Sequence, residues 1–226
     1  MAYPIRPMLK EDIAQVTAID HEAFPTQIPP PNYRHELQNQ LARYIVVCDD
    51  TKTVAEPEVK ADKGLSGLVS RIKKCFHRNH PPSARLSPSD QQYIVGFAGI
   101  WVLADEAHIT NIAVRKRYQR QSIGELLLIS TIDLAQKMKA SMMTLEVRAS
   151  NLIAQNLYRK YGFTQVGIRR GYYLDNREDG IIMSTENITS ATFETHLQQL
   201  REALARKFGS QVMPGGNLST ANPENG

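Results

Sequence analysis

The stretch LEVRASNLIAQNLYRKYGF, residues 145–163, decides how this chain is read. In an extended segment Leu145 and Val147 share one face, and Thr144, Glu146 and Arg148 the other. A carboxylate in the middle of an otherwise buried strand is costly unless it is paired or lines a wet cleft. Ser150 and Asn151 are good N-cap residues, so a helix is expected over 150–161. That helix would carry Ile153, Ala154, Leu157, Tyr158 and Tyr161 on one side. Glu146 precedes the strand-to-helix turn by roughly 10 Å of strand. Tyr158 follows it by roughly 10 Å of helix. If the helix folds back along the strand, a carboxylate and a phenol flank one cleft, as acid–base chemistry on one substrate needs. The same residues admit a plainer account, with Glu146 paired to Arg148 or a neighbour and Tyr158 in the core.

Upstream lies NIAVRKRYQRQSIGELLL, residues 111–128. A strand over 107–115 runs into a turn at 118–124, and a long helix follows from Gly124 to about Lys139. A helix N-terminus offers unpaired N–H groups and partial positive charge, a seat for phosphate. Arg115, Lys116, Arg117 and Arg120 surround this one. On these residues alone a solvated basic turn fits equally well. The helix is apolar nearly all round (Leu126, Leu127, Leu128, Ile129, Ile132, Leu134), which predicts packing on a sheet.

Working outward, a short strand (3–7) precedes a helix carrying Ile13, Val16 and Ile19 at amphipathic spacing. The QIPPPN run (27–32) must be a loop. A second helix is expected over Tyr33–Leu41, then strands at 43–49 and 92–102. Between those strands the composition turns polar, so 51–92 reads as an insertion, with a basic amphipathic stretch at 68–80. Strands at 142–148, 163–172 and 180–187 and a polar helix near 191–207 complete the order. The result is an α/β domain over residues 1–188, one mixed, mostly antiparallel sheet with helices on both faces. Residues 189–226 add a helix and a tail expected to be disordered.

Composition excludes wholesale disorder: of 226 residues 42% are hydrophobic and 22% charged, and the net charge is +4. Mean hydropathy is −0.37 and pI about 9.0, and no run approaches a membrane span or a signal peptide, so a cytoplasmic protein is expected. Cys48 and Cys75 read as ordinary reduced thiols. His108 reads as a satisfied strand histidine, and His77 and His80 lack further ligands at metal-site spacing, so no metal is expected.

These motifs resemble the Gcn5-related N-acetyltransferase (GNAT) superfamily, and most narrowly its bacterial ribosomal-protein-alanine N-acetyltransferases of the RimI type. QRQSIG (119–124) is similar to the cofactor motif [QR]-x-x-G-x-[GA]; LEVRASNLIAQNLYRKYGF and RRGYYLDNREDGIIM (169–183) are similar to the downstream runs. The likeness covers about residues 94–187, and more loosely 1–48. It implies acetyl-CoA as acetyl donor. Ile112, Ala113 and Val114 would pair with the pantetheine arm. Arg120, Gln121, Ser122, Ile123, Gly124 and Glu125 would seat the pyrophosphate, with Asn151 near the cofactor. Glu146 would be the catalytic base, directly or through a water, and Tyr158 the acid for the departing thiolate. Val114 N–H would stabilise the oxyanion. The acceptor would be the N-terminal alanine of a small-subunit ribosomal protein, met by a monomer with no membrane or direct nucleic-acid role. Another terminus, a lysine or a small amine is the alternative within the fold. A non-catalytic ribosome-binding protein, with 71–80 as its footprint, is disfavoured by the presence of both Glu146 and Tyr158. One departure stands out: Ser122 replaces the first motif glycine. Serine at a helix start is expected to need no positive φ there, and CoA affinity to change only modestly.

Overall fold

The computed structural model describes residues 3–26, 31–54 and 92–208. The chain divides into two units, Met1–Thr51 with Ile94–Gly226, and Lys52–Tyr93. The second unit is described only at 52–54 and 92–93. The predicted amphipathic stretch, Cys75, His77, His80 and the tail beyond 208 lie outside the described residues.

The elements are β1 (Ile5–Pro7), α1 (Ile13–Ala23), α2 (Tyr33–Gln38), β2 (Ala42–Thr53), β3 (Gln92–Leu103), β4 (Glu106–Val114) and α3 (Ile123–Lys137), followed by β5 (Met142–Arg148), α4 (Leu152–Lys160), β6 (Phe163–Tyr173), β7 (Glu178–Thr185) and α5 (Ala191–Phe208). This is the order the sequence predicts. Bounds differ: β2 runs to Thr53 rather than residue 49, and α2 stops at Gln38 rather than Leu41. At that stop Asn39 turns extended and its side chain accepts from Leu41 N–H. The seven strands form one sheet, β1-β2-β3-β4-β5-β7-β6. β4 and β5 pair parallel, whereas β1–β2, β3–β4, β5–β7 and β6–β7 pair antiparallel.

Both sheet faces are covered, which explains why Ile94–Ile100 of β3 is buried without alternation. On one face Val16 and Ile19 of α1 and Tyr33 and Leu37 of α2 pack with Tyr44, Val46 and Phe97. On the other lies α3, where Leu126, Leu127, Leu128, Ile129 and Ile132 are fully buried. Burial of each such side chain contributes about 1.5–3 kcal/mol. α3 is apolar all round because it is covered twice, by β4 on one side and α5 on the other. α5, predicted simply as polar, supplies Leu197 and Leu204 to this layer. Its Arg201 pairs with the buried Asp133 of α3. Cys48 is a buried free thiol, and burial pushes it up to about 11 despite nearby Arg6.

Candidate active site

The site begins with a defect in strand pairing. β4 matches β5 from Glu106 opposite Met142 to Ile109 opposite Leu145, and the ladder stops there. On its other edge β4 pairs with β3, with Ile100 opposite Ile109 but Gly99 opposite Asn111. Thr110 is therefore an extra residue, a β-bulge. A bulge bends its strand and increases local twist. β4 thus keeps β3 and loses β5 at one point. A cleft of about 620 Å³ opens there, lined by Thr110, Asn111 and Ile112 of β4 and Glu146, Val147 and Arg148 of β5. Asn151, Ala154 and Tyr158 line it from the α4 side.

The backbone of β4 beyond the bulge is orderly. Arg115 N–H donates back to the Val95 carbonyl at 2.8 Å. Successive N–H groups alternate between strand edges, so Val114 N–H, and Ile112 N–H two residues earlier, face the edge that β5 has left.

Burial along β5 alternates as predicted, with Met143, Leu145 and Val147 buried. Glu146 does not pair with Arg148. Its Oε2 lies 3.1 Å from His108 Nε2, and its Oε1 lies 3.1 Å from an Arg169 nitrogen. His108 Nδ1 lies 3.0 Å from Thr144 Oγ1, which donates to Glu106 Oε1 at 2.6 Å. His108, read from sequence as a satisfied strand histidine, lines the cleft and is a link in a polar chain that ends on Glu146. The cross-strand register that joins them, His108 opposite Thr144, cannot be read from either segment alone. The hydrogen bond from His108 holds the Glu146 carboxyl below the usual carboxylate range, against the opposing effect of burial, with the charge of Arg169 adding to it.

Tyr158 reaches the cleft from α4. Asn151 caps that helix, its Oδ1 accepting from Ala154 N–H at 3.1 Å. Gln155, buried, donates to the carbonyls of Arg148 and Ala149 at 3.0 Å each, fastening the first turn of α4 to the end of β5. Sequence reasoning missed this residue. Its one signal was a long amide four places after the cap, on the face turned to the preceding strand. Ile153, expected on the packed side, is instead 69% exposed. The packed side is set by Gln155, with Tyr158 half-buried against Phe163. Burial pushes the Tyr158 phenol up to about 12. Its hydroxyl has no hydrogen-bond partner among the described residues.

Of the predicted cofactor residues, Ile112 and Asn151 line the cleft. Ala113 and Ile123 bury their side chains in the core and offer only backbone. Arg120, Gln121, Ser122, Gly124 and Glu125 sit apart from the cleft lining, at the start of α3. Gln121 Oε1 accepts from Tyr3 hydroxyl at 3.2 Å. Glu125 pairs with Lys160 and, at 3.1 Å, with Lys207 of α5, and accepts from Tyr161 hydroxyl. Burial would raise the Glu125 carboxyl, but the two lysines hold it below its ordinary value. The expectation that Ser122 needs no positive φ is overturned. Ser122 has φ +61° and Arg120 φ +64°, both left-handed, and the Ser122 side chain makes no cap hydrogen bond to α3. The chain turns here as a glycine would turn it.

The cleft is also lined by Phe24 and Thr26 after α1, by Glu36, Tyr44 and Trp101, and by Tyr173 and Asp175 at the β6–β7 turn. Glu36 Oε2 accepts from the Trp101 indole at 2.8 Å and the Tyr44 hydroxyl at 3.4 Å. Among the described residues no group of three His, Cys, Asp or Glu side chains can hold a metal ion, and no helix is long and apolar enough to cross a membrane.

Comparison with known proteins gives consistent findings. Residues 13–163 match the Acetyltransferase (GNAT) family. A Bacillus subtilis protein, named as a candidate ribosomal protein bS18-alanine N-acetyltransferase, is 33% identical over 180 residues, 79% of this chain and 92% of that protein. The Escherichia coli ribosomal protein bS18-alanine N-acetyltransferase is 47% identical over 93 residues, 40% of this chain and 63% of its own length. The crystal structure of the ribosomal-protein-S18-alanine N-acetyltransferase from Escherichia coli superposes with a TM-score of 0.58 at 26% identity, covering 84% of this chain and 97% of that one.

Proposed function

We propose that this chain, which belongs to the Acetyltransferase (GNAT) family and is an acetyl-CoA-dependent N-acetyltransferase, acetylates the N-terminal alanine of ribosomal protein bS18. The observation that carries the reading is that Glu146 and Tyr158 line one cleft, at the point where β4 leaves β5. The acceptor assignment is supported by the named relatives.

The cleft suits a long amide-bearing donor arm. The β4 edge beyond Ile109 has lost its strand partner, and its N–H groups at Ile112 and Val114 face that side. Ile112 and Asn151 flank the arm in this reading, and the turn from Arg120 to Glu125 receives the diphosphate. Acetyl-CoA supplies an activated acyl thioester.

The chain's own residues do the rest. An α-amine titrates at about 7.7–8.0, so at neutral pH much of it arrives as ammonium. Glu146, ionised throughout, attracts that cation. A carboxylate ordinarily titrates well below an α-amine, and this one is lowered further, so it is much the weaker base. Glu146 is therefore a proton relay rather than a store. The proton passes on to solvent at the open cleft, while the hydrogen bond from His108 keeps the Glu146 carboxylate ionised for the next amine. Val114 N–H is available to developing negative charge on the carbonyl oxygen. Tyr158, pushed up to about 12, keeps its proton until a thiolate departs.

Thiol release from acetyl-CoA tests the reading, with an alanine-starting bS18 peptide compared against the same peptide N-blocked. Release is expected only with the free terminus. Release with the blocked peptide would move the acceptor to a lysine or a small amine. Tyr158→Phe should lower kcat far more than it weakens acetyl-CoA binding, and equal activity would remove the acid role.

A further inference from the structure

We propose that Arg148 is a positioning residue that sets the acceptor side of the cleft, by clasping the segment after α1 to the β6–β7 turn. The inference rests on the acceptor reading above for its kinetic consequence and on this structure's contacts for its geometry. Arg148 ends β5 and lies two residues beyond Glu146 on the same strand face. One guanidinium nitrogen lies 3.0 Å from both Asp175 oxygens and 3.4 Å from Thr26 Oγ1. The other reaches Glu178 Oε2 at 3.2 Å and Asn176 Oδ1 at 3.3 Å. The guanidinium also stacks 4.0 Å above the Tyr173 ring.

Two segments far apart in sequence therefore meet on one side chain. The Thr26 hydroxyl also hydrogen-bonds Asp175 and, with Arg148, keeps that carboxyl below its ordinary value. Glu178 is held further still, pulled down to about 2 chiefly by its hydrogen bonds from Ser150 at the head of α4, one of them from the Ser150 N–H at 2.7 Å. The clasp is thus anchored to the element that carries Tyr158. Thr26, Tyr173 and Asp175 all line the cleft, so the joint fixes the width of its mouth beside Glu146. An acceptor whose amine reaches Glu146 must lead the rest of its chain past this joint. Only a planar, five-donor cation satisfies two carboxylates, a hydroxyl and a ring face together; lysine keeps the charge but loses the fork and the stacking.

The test pairs steady-state kinetics with hydrogen exchange on the full chain. In Arg148→Gln, KM for the alanine-starting peptide should rise about tenfold or more, while kcat falls no more than about twofold and KM for acetyl-CoA holds. Arg148→Lys should fall between. Amide exchange should accelerate in Arg148→Gln at both 24–26 and 173–178. An unchanged peptide KM, or a loss confined to kcat, would overturn the proposal. So would acceleration in one segment alone. If the wild-type chain does not acetylate the peptide, the acceptor reading fails by itself. The paired exchange result then still decides whether the clasp exists.

Discussion

Replacing Ser122 by glycine should make the protein more stable. Ser122 sits at φ +61°, ψ 10°, a left-handed conformation. For a residue with a Cβ that conformation costs about 1–2 kcal/mol. Glycine removes the cost but loses about 0.5–1 kcal/mol through greater freedom in the unfolded chain. The usual penalty for removing a serine N-cap, a few tenths against glycine, barely applies because the side chain makes no cap bond. What the hydroxyl does make is a 3.3 Å contact from Lys207 and a 3.5 Å contact to Glu125, both weak. The midpoints of the two ranges leave a net gain of about 0.75 kcal/mol. At about 2–4 °C per kcal/mol for a chain of this size, the melting temperature should rise about 2–3 °C. Ser122→Ala is the control, since it deletes the same hydroxyl but keeps a Cβ. Differential scanning calorimetry on the three proteins, without ligand, reads the result. If Ser122→Gly melts at or below Ser122→Ala, the left-handed strain is not there.

Two more outcomes follow from the site. Because Glu146 stays ionised through neutral pH, the acid limb of kcat/KM should follow the acceptor amine, with its midpoint near about 8; a limb midpoint in the carboxylate range would assign it to Glu146 instead, and Glu146→Gln should depress the rate most below the amine pKa. The same lowered carboxyl stabilises the fold above its unfolded value of about 4.5, so the stability gap between wild type and Glu146→Gln should be full at neutral pH and close as pH falls through the folded pKa. Gly99→Ala should destabilise by about 1–3 kcal/mol in chemical denaturation, since the new Cβ would lie 2.3 Å from a Tyr44 ring carbon at the strand pair that carries the bulge; an unchanged midpoint would mean the ring yields freely.

The local parts of this site were legible in sequence. Alternation put Glu146 on the opposite strand face from Leu145 and Val147, and Asn151 announced the start of α4. Strand and helix rises placed Glu146 and Tyr158 at similar depth, and both line the cleft. What was not legible depends on pairing between distant segments. The Thr110 bulge exists only in the register of β4 against β3. The Glu146–His108 contact needs the register of β4 against β5. The burial of Asp133 in α3 makes sense only with Arg201 of α5 laid across it. Ser122 misled for another reason: serine favours helix starts, but here the loop geometry overrides the local preference.

Trp101 has a practical consequence. It is the chain's single tryptophan, it lines the cleft, and it is 43% exposed while its indole N–H is held by Glu36. Selective excitation therefore gives an optical signal from one position with no background from elsewhere in the protein. A peptide docking beside it would shift or quench the emission, so association could be followed by eye of the fluorimeter alone, before any acyl group moves.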